Sequence, residues 1–257
     1  MIERATIEKL ILPVGLLVVW ELTGRAGWLP TYLSRPSAII AAIVELIGTG
    51  ELPRNLGASL IRSYAGFTIG ATLGVTAGIG AGMSAAIANF FNPLVSFLYP
   101  IPKITFLSVF LLLFGLGHAS KITIIAFSGF FPVFVASRHA VLSVNKLLIW
   151  AARNMGTPER TIFFRVIVPA SAPQLFAGVR IGLAHAFVVL FAAELIGSKA
   201  GLGTIITSGE EWVRFDLMFA GIACFAALGF ASDRILLAVR ARVLKGQMIG
   251  TEEQVVR

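Results

Sequence analysis

Charged residues and cysteine are both scarce in this sequence. Of its 257 residues only 13% are charged and 57% are hydrophobic, and the single cysteine, Cys224, lies inside an apolar run. One cysteine excludes a disulfide framework and a cysteine-paired metal site. So low a charged fraction excludes an ordinary soluble domain, in which about a quarter of the residues are charged. The composition is that of a multi-pass membrane protein.

The sequence also lacks the motifs of metal-dependent and nucleotide-binding enzymes. His118, His139 and His185 stand in separate segments, without H-x-x-x-H or H-E-x-x-H spacing. No G-x-x-x-x-G-K-[ST] loop is present, so the chain does not bind ATP by that route. We therefore expect no catalytic residue, no metal site and no bound cofactor. Energy for active transport would have to come from a partner.

Basic residues outnumber acidic ones by 21 to 13, which gives a formal net charge of +8. They are dispersed between apolar stretches and do not interleave with aromatics, so we expect no nucleic-acid partner. Such a distribution is typical of cytoplasmic loops that obey the positive-inside rule. The strongest cluster, with Glu159 as its only acid, consists of Arg138, Lys146, Arg153, Arg160 and Arg165.

Hydrophobic stretches predict an all-α, polytopic membrane protein with about six transmembrane helices. The predicted spans are residues 7–23, 65–83, 87–114, 121–135, 171–196 and 217–239. We expect one permease domain over residues 1–257, with a core at about 57–245 and an N-terminal span and amphipathic segment at 1–56. The first stretch lacks a small-residue cleavage pattern, so we do not expect a cleaved signal. Both termini are expected in the cytoplasm.

Glycines recur at every fourth position in two of the predicted spans. This spacing aligns them on one helix face, where another helix can approach closely. The predicted helix-packing residues are Gly66, Gly70, Gly74, Gly78, Gly82, Gly178 and Gly182. Local signals further predict a separate short helix at about residues 52–60, and a capping box that starts the fifth span at Ser171 and Gln174.

A polar interruption divides the third stretch. Pro100 and Pro102 remove backbone donors and free carbonyl groups near membrane depth, and Lys103 follows them directly. We expect Pro100, Pro102, Lys103 and Glu194, near the far end of the fifth span, to line a translocation pathway. The alternatives are a lysine that snorkels from a span end and a carboxylate at the membrane interface.

The longest charged and helix-patterned interval between spans is residues 143–173, here called the helical knob. Val144, Leu147, Leu148, Ala151 and Met155 share one apolar face. Gly156 is expected to end the first helix in a left-handed conformation. Thr157 is expected to cap a second helix, with Pro158 and Glu159 in its first turn. Two short helices at a fixed angle favour contact with a soluble partner.

The helical knob resembles a loop found in the permease subunits of binding-protein-dependent ABC importers. Ala151, Ala152, Gly156, Val166 and Pro169 fit the pattern E-A-A-x-x-x-G-x(9)-I-x-x-P, although Trp150 stands in place of its glutamate. Further stretches are similar to the nitrate, sulfonate, taurine and bicarbonate branch of this family. Lys103 departs from the pattern of that branch, in which we expect a small or apolar residue after the paired prolines. These stretches are residues 20–21, 36–37, 99–102, 114–117, 180–183, 193–197 and 201–203.

This resemblance implies a coupling helix that sits in a cleft of a cytoplasmic ATPase. The residues it assigns to coupling are Trp150, Ala151, Ala152, Arg153, Gly156, Thr157, Glu159 and Pro169. It implies a bacterial inner-membrane homodimer with two ATPase subunits that use ATP and magnesium, and an external solute-binding protein. The expected cargo is a small anion. The alternatives are an importer of a neutral or heterocyclic vitamin precursor, and a membrane anchor that transports nothing.

Overall fold

The computed structural model describes residues 2–245, with side chains from residue 11 onward, and every regular element in this part of the chain is helical. The helices are α1 (Ile2–Arg25), α2 (Pro36–Gly48), α3 (Glu51–Met83), α4 (Ala85–Leu98), α5 (Leu107–Phe114), α6 (His118–Leu142), α7 (Lys146–Asn154), α8 (Glu159–Ile162), α9 (Val168–Leu195), α10 (Leu202–Glu211) and α11 (Phe215–Val243). A 3₁₀ turn, Lys103–Phe106, precedes α5, and a π-helical turn, Phe163–Ile167, joins α8 to α9.

The all-α, membrane-spanning prediction is confirmed. Four helical stretches are long and apolar enough to cross a bilayer: Glu51–Met83, His118–Leu142, Glu159–Leu195 and Phe215–Val243. A fifth candidate is the pair Ala85–Leu98 and Lys103–Phe114, which is bent by 95°. The predicted first span, residues 7–23, falls within α1, but the side chains of residues 7–10 lie outside the described residues. The cytoplasmic C-terminus also lies outside them and stays a prediction.

Two local predictions were wrong about where helices begin and end. The separate helix at 52–60 does not exist, because α3 continues unbroken from Glu51 to Met83. Ser171 and Gln174 form no capping box, since the π-helical turn carries the chain into α9 before them. Instead Ser171 donates to the Val168 carbonyl, and Gln174 accepts from the Ser143 hydroxyl. In the connection that follows α9, Leu202–Glu211 form the further helix α10.

The described chain divides into two compact units, residues 2–59 with 194–227, and residues 60–193 with 228–245. In the second unit α6 packs between α3 and α9. A methyl group added at Gly66 would lie 2.7 Å from Ile125, and one at Gly74 would lie 2.9 Å from Val133. Gly70, Gly78 and Gly82 continue this contact along α6, while Gly178 and Gly182 bring α9 against Ala136 and Val133. Only glycine permits helix backbones to approach so closely.

Aromatic rings fill the contact between α4 and α6 in the same unit. The ring of Phe91 lies 5.5 Å from that of Phe134, which stacks on Phe130 at 5.7 Å. Ala88 and Val95 are buried beside them. Large rings fix the position of α4 because they bury much apolar area in preferred pair geometries.

In the first unit, α2 buries Ile39, Ala42 and Leu46. Glu45, on the same helix, accepts two hydrogen bonds of 2.8 Å from Arg214, in the turn between α10 and α11. These hydrogen bonds hold the pKa of the Glu45 carboxyl below its usual value. The ion pair therefore ties α2 to that turn at neutral pH.

Candidate functional site

The first helix of the knob has a defined cap at each end. The Asn145 side chain accepts a hydrogen bond from the Leu147 amide at 2.9 Å. At the other end Gly156 takes φ = +73°, as the sequence predicts. The amides of Gly156 and Thr157 then donate to the carbonyls of Arg153 and Ala152. These bonds satisfy the free carbonyls of the last helical turn, so α7 stops at a fixed place.

The inner face of the knob is part of the protein core. Ala152 packs with Val141, Val144, Ile162 and Ile167 in one buried cluster, and Ile162 is fully inaccessible to solvent. The sequence pattern placed Val144 on the outer apolar face, and this prediction was wrong because Val144 is buried in the cluster. Because this cluster joins α7 and α8 to α6 and to the start of α9, the knob cannot move without these helices.

An ion pair bridges the glycine turn. Arg153 donates to both carboxylate oxygens of Glu159, at 2.6 and 3.1 Å. These hydrogen bonds raise the pKa of the Arg153 guanidinium. Thr157 does not cap α8 as predicted, because the residue preceding that helix is Pro158 and no side chain caps it. The glycine turn and the buried cluster that contains Ala152 and Ile162 set the angle between α7 and α8, and this exposed pair adds little to them.

The outer face of α7 is apolar and exposed. Leu147 is 64% exposed, Trp150 53% and Met155 77%, and Leu148 and Ala151 lie beside them. An open groove of about 530 Å³ adjoins this face. Its lining includes Leu148, Arg165, Val166, Pro169 and Ala170. An apolar surface of this kind, rimmed by arginines, is typical of a protein-protein contact.

The Lys103 side chain folds back onto the backbone of the proline break. Its ammonium group donates to the carbonyls of Leu98, Tyr99 and Ile101 at 2.9, 2.8 and 2.8 Å. It also lies 4.8 Å from the centre of the Phe131 ring. An ammonium group has three donors, so each is directed at a carbonyl at the end of α4 or in the break. A lysine follows the paired prolines because it satisfies these carbonyls.

Glu194 is buried in the first unit, with 1% of its surface exposed. Its carboxylate accepts hydrogen bonds from the Ser59 hydroxyl, at 2.8 and 2.9 Å, and from the Gly203 amide at 3.1 Å. Gly201 packs directly against the same carboxylate. Glu194 therefore fixes the start of α10 against α3, and it is not at an exposed membrane interface.

Sequence reasoning missed a charged pair in the second unit. Arg180 of α9 donates to both carboxylate oxygens of Asp233 on α11, at 2.6 and 3.0 Å. Directly before Asp233 on α11, Ser232 shares a hydrogen bond of 2.8 Å with Tyr64 of α3. Arg180 interrupts one apolar run, and Asp233 with the adjacent Arg234 interrupts another, which is the signal that could have singled them out. Their separation of 53 residues hides the pairing.

Comparison with known proteins gives consistent results. Residues 70–245 match the family described as binding-protein-dependent transport system inner membrane component. A relative named putative aliphatic sulfonates transport permease protein SsuC, from Bacillus subtilis strain 168, is 33% identical over 93% of this chain and 87% of its own length. The taurine transport system permease protein TauC of Escherichia coli K12 is 30% identical over 94% of this chain and 90% of its own length.

The fold also has a solved counterpart. A chain from inward-facing structures of the MetNI methionine ABC transporter superimposes with a TM-score of 0.61, over 73% of this chain and 95% of that one. The two share 21% sequence identity, so this likeness concerns the fold alone. The family match extends over more than half of the sequence, and the named relatives are similar over nearly all of it. This chain therefore belongs to the family of binding-protein-dependent transport system inner membrane components.

Proposed function

We propose that this permease forms the pathway through which an ATP-driven importer moves a small anionic solute, of the sulfonate or taurine class, into a bacterial cell. Its relatives named for aliphatic sulfonates and taurine support the solute class. The observation that carries the proposal is the helical knob, whose outer face is apolar and exposed while its inner face is part of the core.

The partners follow from the same proposal. Two copies of the chain assemble in the inner membrane with two cytoplasmic ATPase subunits, and an external solute-binding protein delivers the cargo. The chain itself binds neither ATP nor magnesium and performs no catalysis. The knob and both termini lie in the cytoplasm.

ATP-driven closure of the ATPases would move the knob as a rigid body. Ile162 and Ile167 pack in the same buried cluster as Ala152, so a displacement of α7 is transmitted to α6 and α9. The pathway runs along the break at Pro100 to Lys103 and along parts of α3 and α9. Because the Lys103 donors are occupied by carbonyls, this residue attracts an anion through its charge and does not bind it directly.

Gly156→Val tests the coupling role of the knob. Valine disfavours φ = +73° strongly, so the angle between α7 and α8 should change. In vesicles that contain the chain, its ATPase and its binding protein, taurine uptake should fall at least about tenfold while ATP hydrolysis persists. Gly50→Val is the matched control, since Gly50 also has a positive φ and lies outside the knob.

Normal, coupled uptake by the Gly156→Val complex would contradict this role. The same assay separates the alternatives. A membrane anchor would give no solute-stimulated ATP hydrolysis at all. An importer of a neutral heterocycle would be stimulated by that compound and would not respond to taurine.

A further inference from the structure

A second cavity, away from the knob's outer face, lies between α4 and α6 in the second unit. It has a volume of about 360 Å³. Val95 and Phe134 are buried at its floor, while Asn92, Ser96, Arg138 and His139 supply its polar lining. A volume of this size accommodates a small organic ion.

Arg138 is the unusual residue of this cavity. Its Nε is fully buried and has no hydrogen-bond partner among the described residues. Buried donors of native proteins nearly always have a partner, so this one requires an explanation.

Several other arginines are paired with acidic residues. Arg153, Arg180 and Arg214 each donate to a carboxylate. The lining of this cavity instead combines a guanidinium, an imidazole, an amide and a hydroxyl, and it includes no acidic residue. Every one of these groups can donate a hydrogen bond, and one carries a permanent positive charge. This combination accepts an anion and disfavours a cation.

We propose that this cavity binds an oxyanion group, a sulfonate or a phosphate, through Arg138 with help from Asn92 and Ser96. The planar guanidinium matches two oxygens of such a group, and the buried Nε would gain its missing acceptor. Two sources can supply the group. One is the head of the transported solute, which rests on the proposed function; the other is the head group of an anionic lipid.

Thermal melting of the full-length chain in an uncharged detergent tests this site. Sodium ethanesulfonate is titrated in one arm, with sodium chloride at equal ionic strength as reference. Phosphatidylglycerol is titrated in the other arm, with diacylglycerol as reference. At least one probe should stabilise the wild type in a saturable way. Arg138→Gln should raise the apparent Kd of that probe about tenfold or more, because it removes a charged hydrogen-bond donor.

Arg234→Gln is the matched control and should leave the apparent Kd unchanged. Arg234 lies over the Phe230 ring at 4.7 Å and does not line the cavity. Should Arg138→Gln fail to fold, Asn92→Leu tests the opposite wall, where it should weaken binding in the same direction.

The two arms identify the source of the oxyanion. Saturation by ethanesulfonate assigns the cavity to solute, and saturation by phosphatidylglycerol alone assigns it to lipid. Binding that is absent from both arms, or unaffected by Arg138→Gln and Asn92→Leu, overturns the proposal. No ATPase or uptake is involved, so failure here leaves the proposed transport function standing. Failure of transport likewise leaves this site intact.

Discussion

Trp150 distinguishes this chain from the pattern of its family at a position that the proposed docking to an ATPase would use. The tryptophan is half-exposed on the outer face of α7, where the family pattern has a glutamate. A carboxylate would require polar partners on the ATPase, whereas an indole ring requires an apolar pocket. We therefore expect the ATPase cleft that receives this knob to be apolar around position 150.

Trp150→Ala measures the contribution of this side chain to docking. Exposed tryptophans that become buried at an interface often contribute about 2 kcal/mol or more, so the Kd for the ATPase should rise roughly thirtyfold. Titration of labelled ATPase against the purified chain would show this change. Trp28→Ala, at a more exposed tryptophan of the first unit, should have no effect. Equal affinity for Trp150→Ala and wild type would exclude docking through this residue.

At the scale of secondary structure, the bend between α4 and α5 is held by side-chain chemistry. Pro100 and Pro102 cannot donate to the helical ladder, and Lys103 donates to three carbonyls in their place. Straightening the 95° bend would expose these carbonyls to hydrocarbon, at a cost of several kcal/mol each. The bend should therefore persist in both inward-facing and outward-facing states.

Gly70→Val tests the packing of α3 on α6. A Cβ at this position would collide with the backbone of Ala126, which cannot yield as a side chain can. We expect a loss of about 3 kcal/mol in the free energy of unfolding, measured by thermal or denaturant unfolding in micelles. Gly57→Ala on the same helix has open space around it and should stabilise the protein by about 0.5 kcal/mol. Similar stability of both variants would argue against the close contact.

Local signals in the sequence predict some elements of this fold well. The paired prolines predict the interruption before α5, and Gly156 predicts the end of α7, because both effects act through their own backbone. Ser171 and Gln174 mislead because a capping box works only where a helix begins, and the π-helical turn removes that beginning. Helix continuity depends on packing as well as on the local residues.

Contacts between distant residues could not be predicted in this way. The Arg180–Asp233 pair and the Ser59–Glu194 hydrogen bonds join residues 53 and 135 positions apart. Each is decided by which helices become neighbours, and local patterns of residues do not show this. The cavity at Arg138 escapes prediction for the same reason, since it needs α4 and α6 side by side.

At the scale of the whole chain, the candidate spans differ in how much of their surface the chain itself covers. In the most apolar window of α6, 56% of the residues are buried, compared with 17% in that of α11. α6 is therefore central in the second unit, while most of α11 is left to contact lipid or another chain. So apolar a surface is unsuited to contact with water, and we expect part of α11 to contact the proposed second copy.

Native mass spectrometry of the complex with its ATPase tests the expected assembly. We expect two permease chains of 27.4 kDa and two ATPase subunits in one particle. The Trp150→Ala variant should release the ATPases and leave the permease pair intact, because Trp150 lies on the knob. A particle that contains only one permease chain would contradict the dimer.

The glycine stripes of α3 and α9 have a thermodynamic consequence as well as a geometric one. Long side chains lose rotamer freedom when they are packed, with an entropic cost of about 1 kcal/mol or more for each residue. Glycine has no rotamers to lose, so its side of the contact with α6 forms without that cost. The free-energy cost of lost rotamer freedom grows with temperature, and on the glycine side of these contacts that cost is small at any temperature. Contacts among α3, α6 and α9 should thus weaken little on warming and be among the last in the protein to separate.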